Sequence, residues 1–152
     1  VSRALADLLP DARAAAELAL ADLKAREIPH FISSTLRTTA EQRALYAQGR
    51  ETLAAVNILR SGAGMAPISE AENRYTVTNC NGTSVALGGT GRSPHQLGRA
   101  IDVVPLGPAG PEWPAASDLR WEDIAHSFER EGFEWGGRWT DFPDRPHYQF
   151  PA

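Results

Sequence analysis

The segment SPHQLGRAIDVVP, residues 93–105, constrains this chain more than any other. Its apolar run Ala100-Ile101-Asp102-Val103-Val104 reads as a buried strand with a carboxylate at its centre. An ionised Asp is seldom buried alone, because desolvating the charge costs on the order of several kcal/mol unless something compensates it. A histidine, His95, stands seven residues upstream. On one continuous strand, residues seven apart would face opposite sides. Gly98 tolerates backbone angles that other residues avoid, so a turn there can fold His95 back toward Asp102. Beyond the turn, Ala100, Asp102 and Val104 share one face and Ile101 and Val103 the other. The small Ala100 leaves room beside the acid.

The flanking sequence supplies the frame. Residues 11–27 read as a helix, with Ala16, Ala19, Leu20 and Leu23 on one face, Pro10 at the first helical position and Pro29 as the stop. HFISSTLR (30–37) is strand-like. A second helix is expected at 40–48, opened by a capping box from Thr38 with Glu41 or Thr39 with Gln42 and closed by Gly49. A third is expected at 52–60, followed by a loop at 61–67 and a short helical turn in ISEAENR. RYTVTN (74–79) is rich in β-branched residues and reads as a strand. Residues 82–94 form a Gly/Ser/Thr loop, and 105–117 a Pro/Gly loop. Between 118 and 131 Trp121, Ile124, Ala125 and Phe128 line one helix face; Ser117 or Asp118 can cap its start and Gly132 its end. FEWGG (133–137) and PHYQF (146–150) complete the strands. Helices come first and strands with loops later, so the class is α+β.

Composition narrows the partners. The 152 residues suit one domain. Net charge is −4 with no basic stripe, which argues against nucleic acid. No apolar run is long enough to cross a bilayer. The N-terminal residues are interrupted by Asp7, Pro10, Asp11 and Glu17, unlike a signal peptide. The single cysteine, Cys80, excludes an internal disulfide and a four-Cys zinc site, and fits a reducing compartment.

Four histidines are present. His30 and His126 read as ordinary surface or half-buried residues. His95 and His147 differ, because each has a conspicuous carboxylate nearby: Asp102 for the first, Asp141 and Asp144 for the second. Brought together, His95, Asp102 and His147 make a two-His, one-carboxylate metal site of the kind zinc uses in catalysis, with a fourth position left for water. A divalent cation would compensate the buried Asp102; so would an arginine such as Arg99 or Arg138, and spacing leaves both open. Asp144, three residues before His147, can stand beside such a metal without ligating it and carry a proton. An ordinary turn-capping role is the alternative, and Asp141 is the rival for the same task. The helical HExxH signature is absent.

These residues resemble a known family. SPHQLGRAID is similar to the SxHxxGxAxD motif of the M15 zinc peptidases, the D-Ala-D-Ala carboxypeptidase and L-alanyl-D-glutamate endopeptidase group. DRPH resembles its second motif. STLRTTAEQRALYAQGR resembles its upstream Arg-Ser/Thr segment and following helix, and VTN and GFEWGGRW are similar to the phage endolysin branch. The likeness runs in order from about residue 30 to 150. It implies zinc bound by His95, Asp102 and His147, Asp144 as general base and acid, and Arg37 holding the scissile carbonyl oxygen. Ser93 matches the first motif position and would orient substrate or the His95 loop. Asp144 stands where Glu is more familiar and, one methylene shorter, must approach the water more closely. Residues 51–73 look like an insertion. Cys80 stands where small apolar residues are usual and is expected to be buried and inert. The loop at 82–92 reads equally as a lid or a passive connection. Trp135 is expected in the core, and Trp139 is open between core and substrate stacking.

The resemblance thus implies a single α+β domain over 1–152, with helices around a small antiparallel sheet that carries the zinc site with its adjoining loops. It implies a zinc-dependent peptidase acting on the peptide stem of bacterial peptidoglycan. WGGRW and the lack of a signal peptide favour the L-Ala–D-Glu bond, as in a phage endolysin. Removal of the terminal D-Ala is the alternative, and an inactive, zinc-stabilised wall-binding module is a third reading. The expected protein is a monomer that neither binds nucleic acid nor inserts in a membrane. It would be made in the host bacterial cytoplasm and act on the cell wall, or be carried on a virion.

Overall fold

The computed structural model describes residues 1–83 and 86–152. Ser84 and Val85, in the loop read as lid or connection, lie outside the described residues. The chain falls into two compact units: Val1 with Arg37–Gln96, and Ser2–Leu36 with Leu97–Ala152.

The second unit carries the sheet. Helix α1 (Pro10–Ala25) begins at its proline, as expected, and buries Ala12, Ala15, Ala16, Ala19 and Leu23. The stop is set by Glu27 rather than Pro29. Glu27 adopts φ 56°, its N–H donates to Lys24 O and that of Ile28 to Leu23 O, a left-handed cap that closes the last turn. Strand β1 (His30–Ser34) follows and ends three residues earlier than the β-rich run suggests. Strand β2 (Ala100–Gly107) is central: β1 pairs with one edge and β5 (His147–Gln149) with the other, both antiparallel, and β4 (Glu134–Trp135) pairs with β5. Part of the segment expected as a loop at 105–117 is strand instead. Pro105–Gly107 continue β2, which turns through Pro108 and Ala109 into the short β3 (Gly110–Pro111). Helix α4 (Arg120–Arg130) buries Trp121, Ile124, Ala125 and Phe128, the predicted stripe. Its N-cap is Leu119, without a side-chain cap; Asp118 instead accepts from the Arg120 N–H and guanidinium. Gly132 ends α4 at φ 91° as expected.

Period-2 alternation decides the core here. Tyr148 points inward from β5 and stacks on Phe128 with ring centroids 4.3 Å apart, and Phe128 meets Phe133 edge-on. Ile101, Val103, Leu23, Ile124 and Trp135 complete this cluster. His147 and Gln149 therefore project from the other face of β5.

The first unit holds α2 (Thr39–Ala47) and α3 (Leu53–Gly62). Thr38 and Glu41 form the reciprocal capping box at α2, and Thr52 caps α3. Residues 51–73, read as an insertion, contain α3 and open the helical turn Glu72–Arg74. The strand expected at 74–79 does not form. Tyr75 is 70% and Val77 42% exposed, and the segment belongs to no strand pairing. β-branched residues favour a pleated surface only where neighbours cover it. Buried Thr78 serves instead as a side-chain acceptor for Gln42. Among the described residues the elements are four helices and a small antiparallel sheet, the expected α+β class, and no helix is long and apolar enough to cross a membrane.

Candidate metal centre

Three elements position the site. In the helical turn Pro94–Leu97, the buried Ser93 hydroxyl accepts the His95 N–H at 3.3 Å. The Ser93 N–H donates to Gln96 Oε1, so the turn is closed from both ends. Gly98 follows at φ 67°, where the chain reverses into β2. On the sheet, Asp102 stands directly opposite His147 across β2 and β5, and opposite Ser34 across β1. Cross-strand partners share a face, so this register puts carboxylate and imidazole side by side.

His95, Asp102 and His147 each offer one ligand atom, and these atoms all lie within 4.8 Å of one another. His95 and His147 are buried at 1% and 5% exposure, and Asp102 is half-buried. His147 Nδ1 lies 3.2 Å from Asp102 Oδ1. Two donors about 2.0–2.1 Å from one tetrahedral ion stand about 3.3 Å apart, so this spacing fits a shared ion of zinc's size and ligand preference. The electrostatics agree. Burial opposes a charged imidazole, yet the hydrogen bond and charge of Asp102, with Asp144 and Gln149 behind them, outweigh it and hold the His147 pKa above the usual histidine range. The surroundings favour positive charge at this point. The arginines named as alternatives for compensating Asp102 have other partners: Arg99 pairs with Asp11, and Arg138 with Glu129 and Glu122.

The remaining sequence candidates fall at definite places. Asp144 is half-buried; its N–H donates to Gly136 O and its carbonyl accepts the His147 N–H at 3.2 Å. Asp141 is exposed and lines an open cleft of about 460 Å³ with Arg138, Trp139, Thr140 and Phe142. The Arg37 N–H donates to His95 O, and its Nη1 to Gln42 Oε1 at 3.3 Å. Cys80 is half-buried rather than buried, and its backbone carbonyl accepts from Gln42. Trp135 is core, as expected, while the Trp139 ring leans on the His147 imidazole with centroids 5.3 Å apart. His30 is half-buried and His126 exposed, the ordinary roles expected of them.

Sequence reading gave no site role to two glutamines, Gln42, offered only as a capping partner of Thr39, and Gln149, placed only on the His147 face. Gln42 is fully buried, holds Arg37 with its carbonyl, and donates to Thr78 Oγ1 and Cys80 O. Gln149 accepts at the far side of the His147 ring. The available signals were a Gln close to the buried Ala44 and Ala47 in one helix, and a Gln two residues from a candidate ligand on a strand.

The three ligand residues, the sheet and the helical turn together define a candidate metal centre. Residues 87–150 match the family model Peptidase_M15_4, described as D-alanyl-D-alanine carboxypeptidase. An L-alanyl-D-glutamate peptidase from Listeria phage A118 is 38% identical over 61 residues, 40% of this chain and 22% of that protein. The match therefore spans about a fifth of the relative's length. The Serratia marcescens L-Ala D-Glu endopeptidase ChiX superposes with TM-score 0.54 at 26% identity, covering 97% of this chain and 83% of its own. The vancomycin resistance D,D-pentapeptidase VanY from a VanB-type cassette, solved in complex with Zn(II), superposes with TM-score 0.55 at 19% identity over 94% and 72% of the two chains. At that identity the likeness is one of fold.

Proposed function

We propose that this chain is a zinc-dependent peptidoglycan peptidase that hydrolyses the stem peptide at the L-Ala–D-Glu bond, in the manner of a phage endolysin. The observation that carries the reading is the His95/Asp102/His147 group, with Asp144 hydrogen-bonded through its backbone to the His147 backbone. The phage relative's name and that of the Serratia neighbour support this choice of bond. The description of the family model favours a second reading, release of the terminal D-Ala.

His95, Asp102 and His147 would hold zinc, which would supply a Lewis acid able to polarise a carbonyl and acidify water. The Asp144 carboxylate takes a proton as water adds to the scissile carbonyl carbon. It then delivers that proton to the amine as the C–N bond breaks. Asp144 is half-buried and hydrogen-bonded through its backbone to His147, whereas Asp141 is exposed, which supports Asp144 over Asp141 as the base. Arg37, tied by its backbone to the His95 turn and by its guanidinium to Gln42, holds the developing oxyanion. Ser93 contributes by fixing the turn that presents His95.

Digestion of purified peptidoglycan with and without chelator, read by mass spectrometry, tests the reading. New N-terminal D-Glu is expected, and chelator should abolish it. Free D-Ala would instead establish the carboxypeptidase, and binding without cleavage an inactive wall-binding module. His95→Ala and His147→Ala should each lose zinc and activity, while Asp144→Ala should keep zinc and lose turnover. Near-native turnover of Asp144→Ala would transfer the role to Asp141.

A further inference from the structure

Behind His147 lies a hydrogen-bond chain that the proposed mechanism does not use. His147 Nε2 lies 3.0 Å from Gln149 Oε1, Gln149 Nε2 donates to Glu134 Oε2 at 3.0 Å, and Trp139 Nε1 donates to Glu134 Oε1 at 2.7 Å. The Trp139 ring rests against the same imidazole. All four residues lie on or beside β4 and β5, where Glu134 pairs with Gln149 in the ladder.

We infer that Glu134, Gln149 and Trp139 form a positioning relay that holds His147 in the tautomer with its proton on Nε2, leaving the Nδ1 lone pair for a cation beside Asp102. The inference rests on the metal-site reading above. Its logic is donor counting. Trp139 has only a donor, so it occupies one oxygen of Glu134. An ionised Glu134 has only acceptors, so the Gln149 group facing it must be the NH2. The Gln149 carbonyl then faces His147 Nε2, which must carry hydrogen to bond it. In a neutral ring the lone pair therefore sits on Nδ1, the nitrogen 3.2 Å from Asp102 Oδ1. Partners behind a ligating histidine fix its ring and tautomer in this way, and losing them typically costs about 10–100-fold in metal affinity.

The test measures Zn(II) affinity by competition with a chromophoric chelator, alongside long-range 1H–15N correlation spectra of His147 in the zinc-loaded protein. Wild type should bind with the His147 proton on Nε2. Gln149→Leu should bind zinc about 10–100-fold more weakly. Glu134→Leu, at an exposed position, frees the Gln149 amide to turn over and should also weaken binding. The double exchange Glu134→Gln with Gln149→Glu keeps every hydrogen bond. The carboxylate placed on β5 would accept from both His147 and the amide placed on β4, whose carbonyl would accept from Trp139. The exchange should therefore restore affinity to within a few-fold of wild type. A proton on Nδ1, or wild-type affinity in both leucine variants, would overturn the relay. Failure of wild type to bind zinc, or unchanged binding by His147→Ala, would instead remove the metal site and the relay with it.

Discussion

Gly98→Ala tests the turn on which the site depends. Gly98 sits at φ 67°, where an L side chain costs roughly 1–2 kcal/mol. An added Cβ would also lie 3.1 Å from the Asp7 carbonyl oxygen and 3.3 Å from the Leu9 nitrogen. Neither can swing aside as a side-chain tip would, because both are backbone, and the Leu9 N–H donates to the Gly98 carbonyl at 2.9 Å. Crowding of this kind adds about 1 kcal/mol. The sum is about 2–3 kcal/mol. At about 2–4 °C per kcal/mol for a chain of this length, Tm should fall by about 5–10 °C. The melts belong in chelator, because a ligand that binds only the folded state raises Tm and would mask the loss. Zinc affinity should fall as well, since the strained turn presents His95. A Tm within about 2 °C of wild type would refute both the backbone strain and the crowding on which this estimate rests.

Three further outcomes are expected. Tyr148 is fully buried with no hydrogen-bond partner for its hydroxyl among the described residues, and burial drives its pKa well above the usual tyrosine range. An unmet buried hydroxyl costs about 1–3 kcal/mol, so Tyr148→Phe should leave stability unchanged or raise it by about 1 kcal/mol in urea unfolding; a loss of that size would reveal a partner. Phe128→Ala removes the ring stacked on Tyr148 and set edge-on to Phe133, and should cost about 3–5 kcal/mol by the same assay. Asp22 accepts from Ser127, Arg26 and Arg130, and these bonds, led by that of Ser127, hold its carboxyl below the usual Asp range. A depressed carboxylate stabilises the fold above its unfolded pKa, and that stabilisation is lost as pH falls through the folded value. The urea midpoint of Asp22→Asn should therefore lie below wild type near neutrality and converge with it in acid, and a gap that persists in acid would contradict the linkage.

Much of the site was legible because its signals are local. Gly98 is flexible wherever it stands, His95 lies three residues before it, and alternation along Ala100–Val104 and His147–Phe150 assigns faces without knowledge of neighbours. The stripe on α4, the Thr38–Glu41 box and the caps at Pro10 and Gly132 follow from the same short-range rules. The misreadings share a cause. Arg74–Asn79 has strand composition but joins no ladder, whereas Pro105–Gly107 has loop composition and is strand because β1 and β3 pair with it. Ladder hydrogen bonds are long-range, so composition cannot announce them.

The sequence by itself determined which side chains can bind a cation, which faces are apolar, and that an acid in a buried strand requires a counter-charge. Only the tertiary structure decided that the counter-charge site is shared with His147 rather than supplied by Arg99 or Arg138. That choice rests on the β2–β5 register, which sets Asp102 opposite His147, and on the arginines' commitment to other carboxylates. The β4–β5 ladder likewise aligns Gln149 with Glu134 behind the imidazole. A register shift of one residue would keep every motif intact and turn one strand's donors to the opposite face.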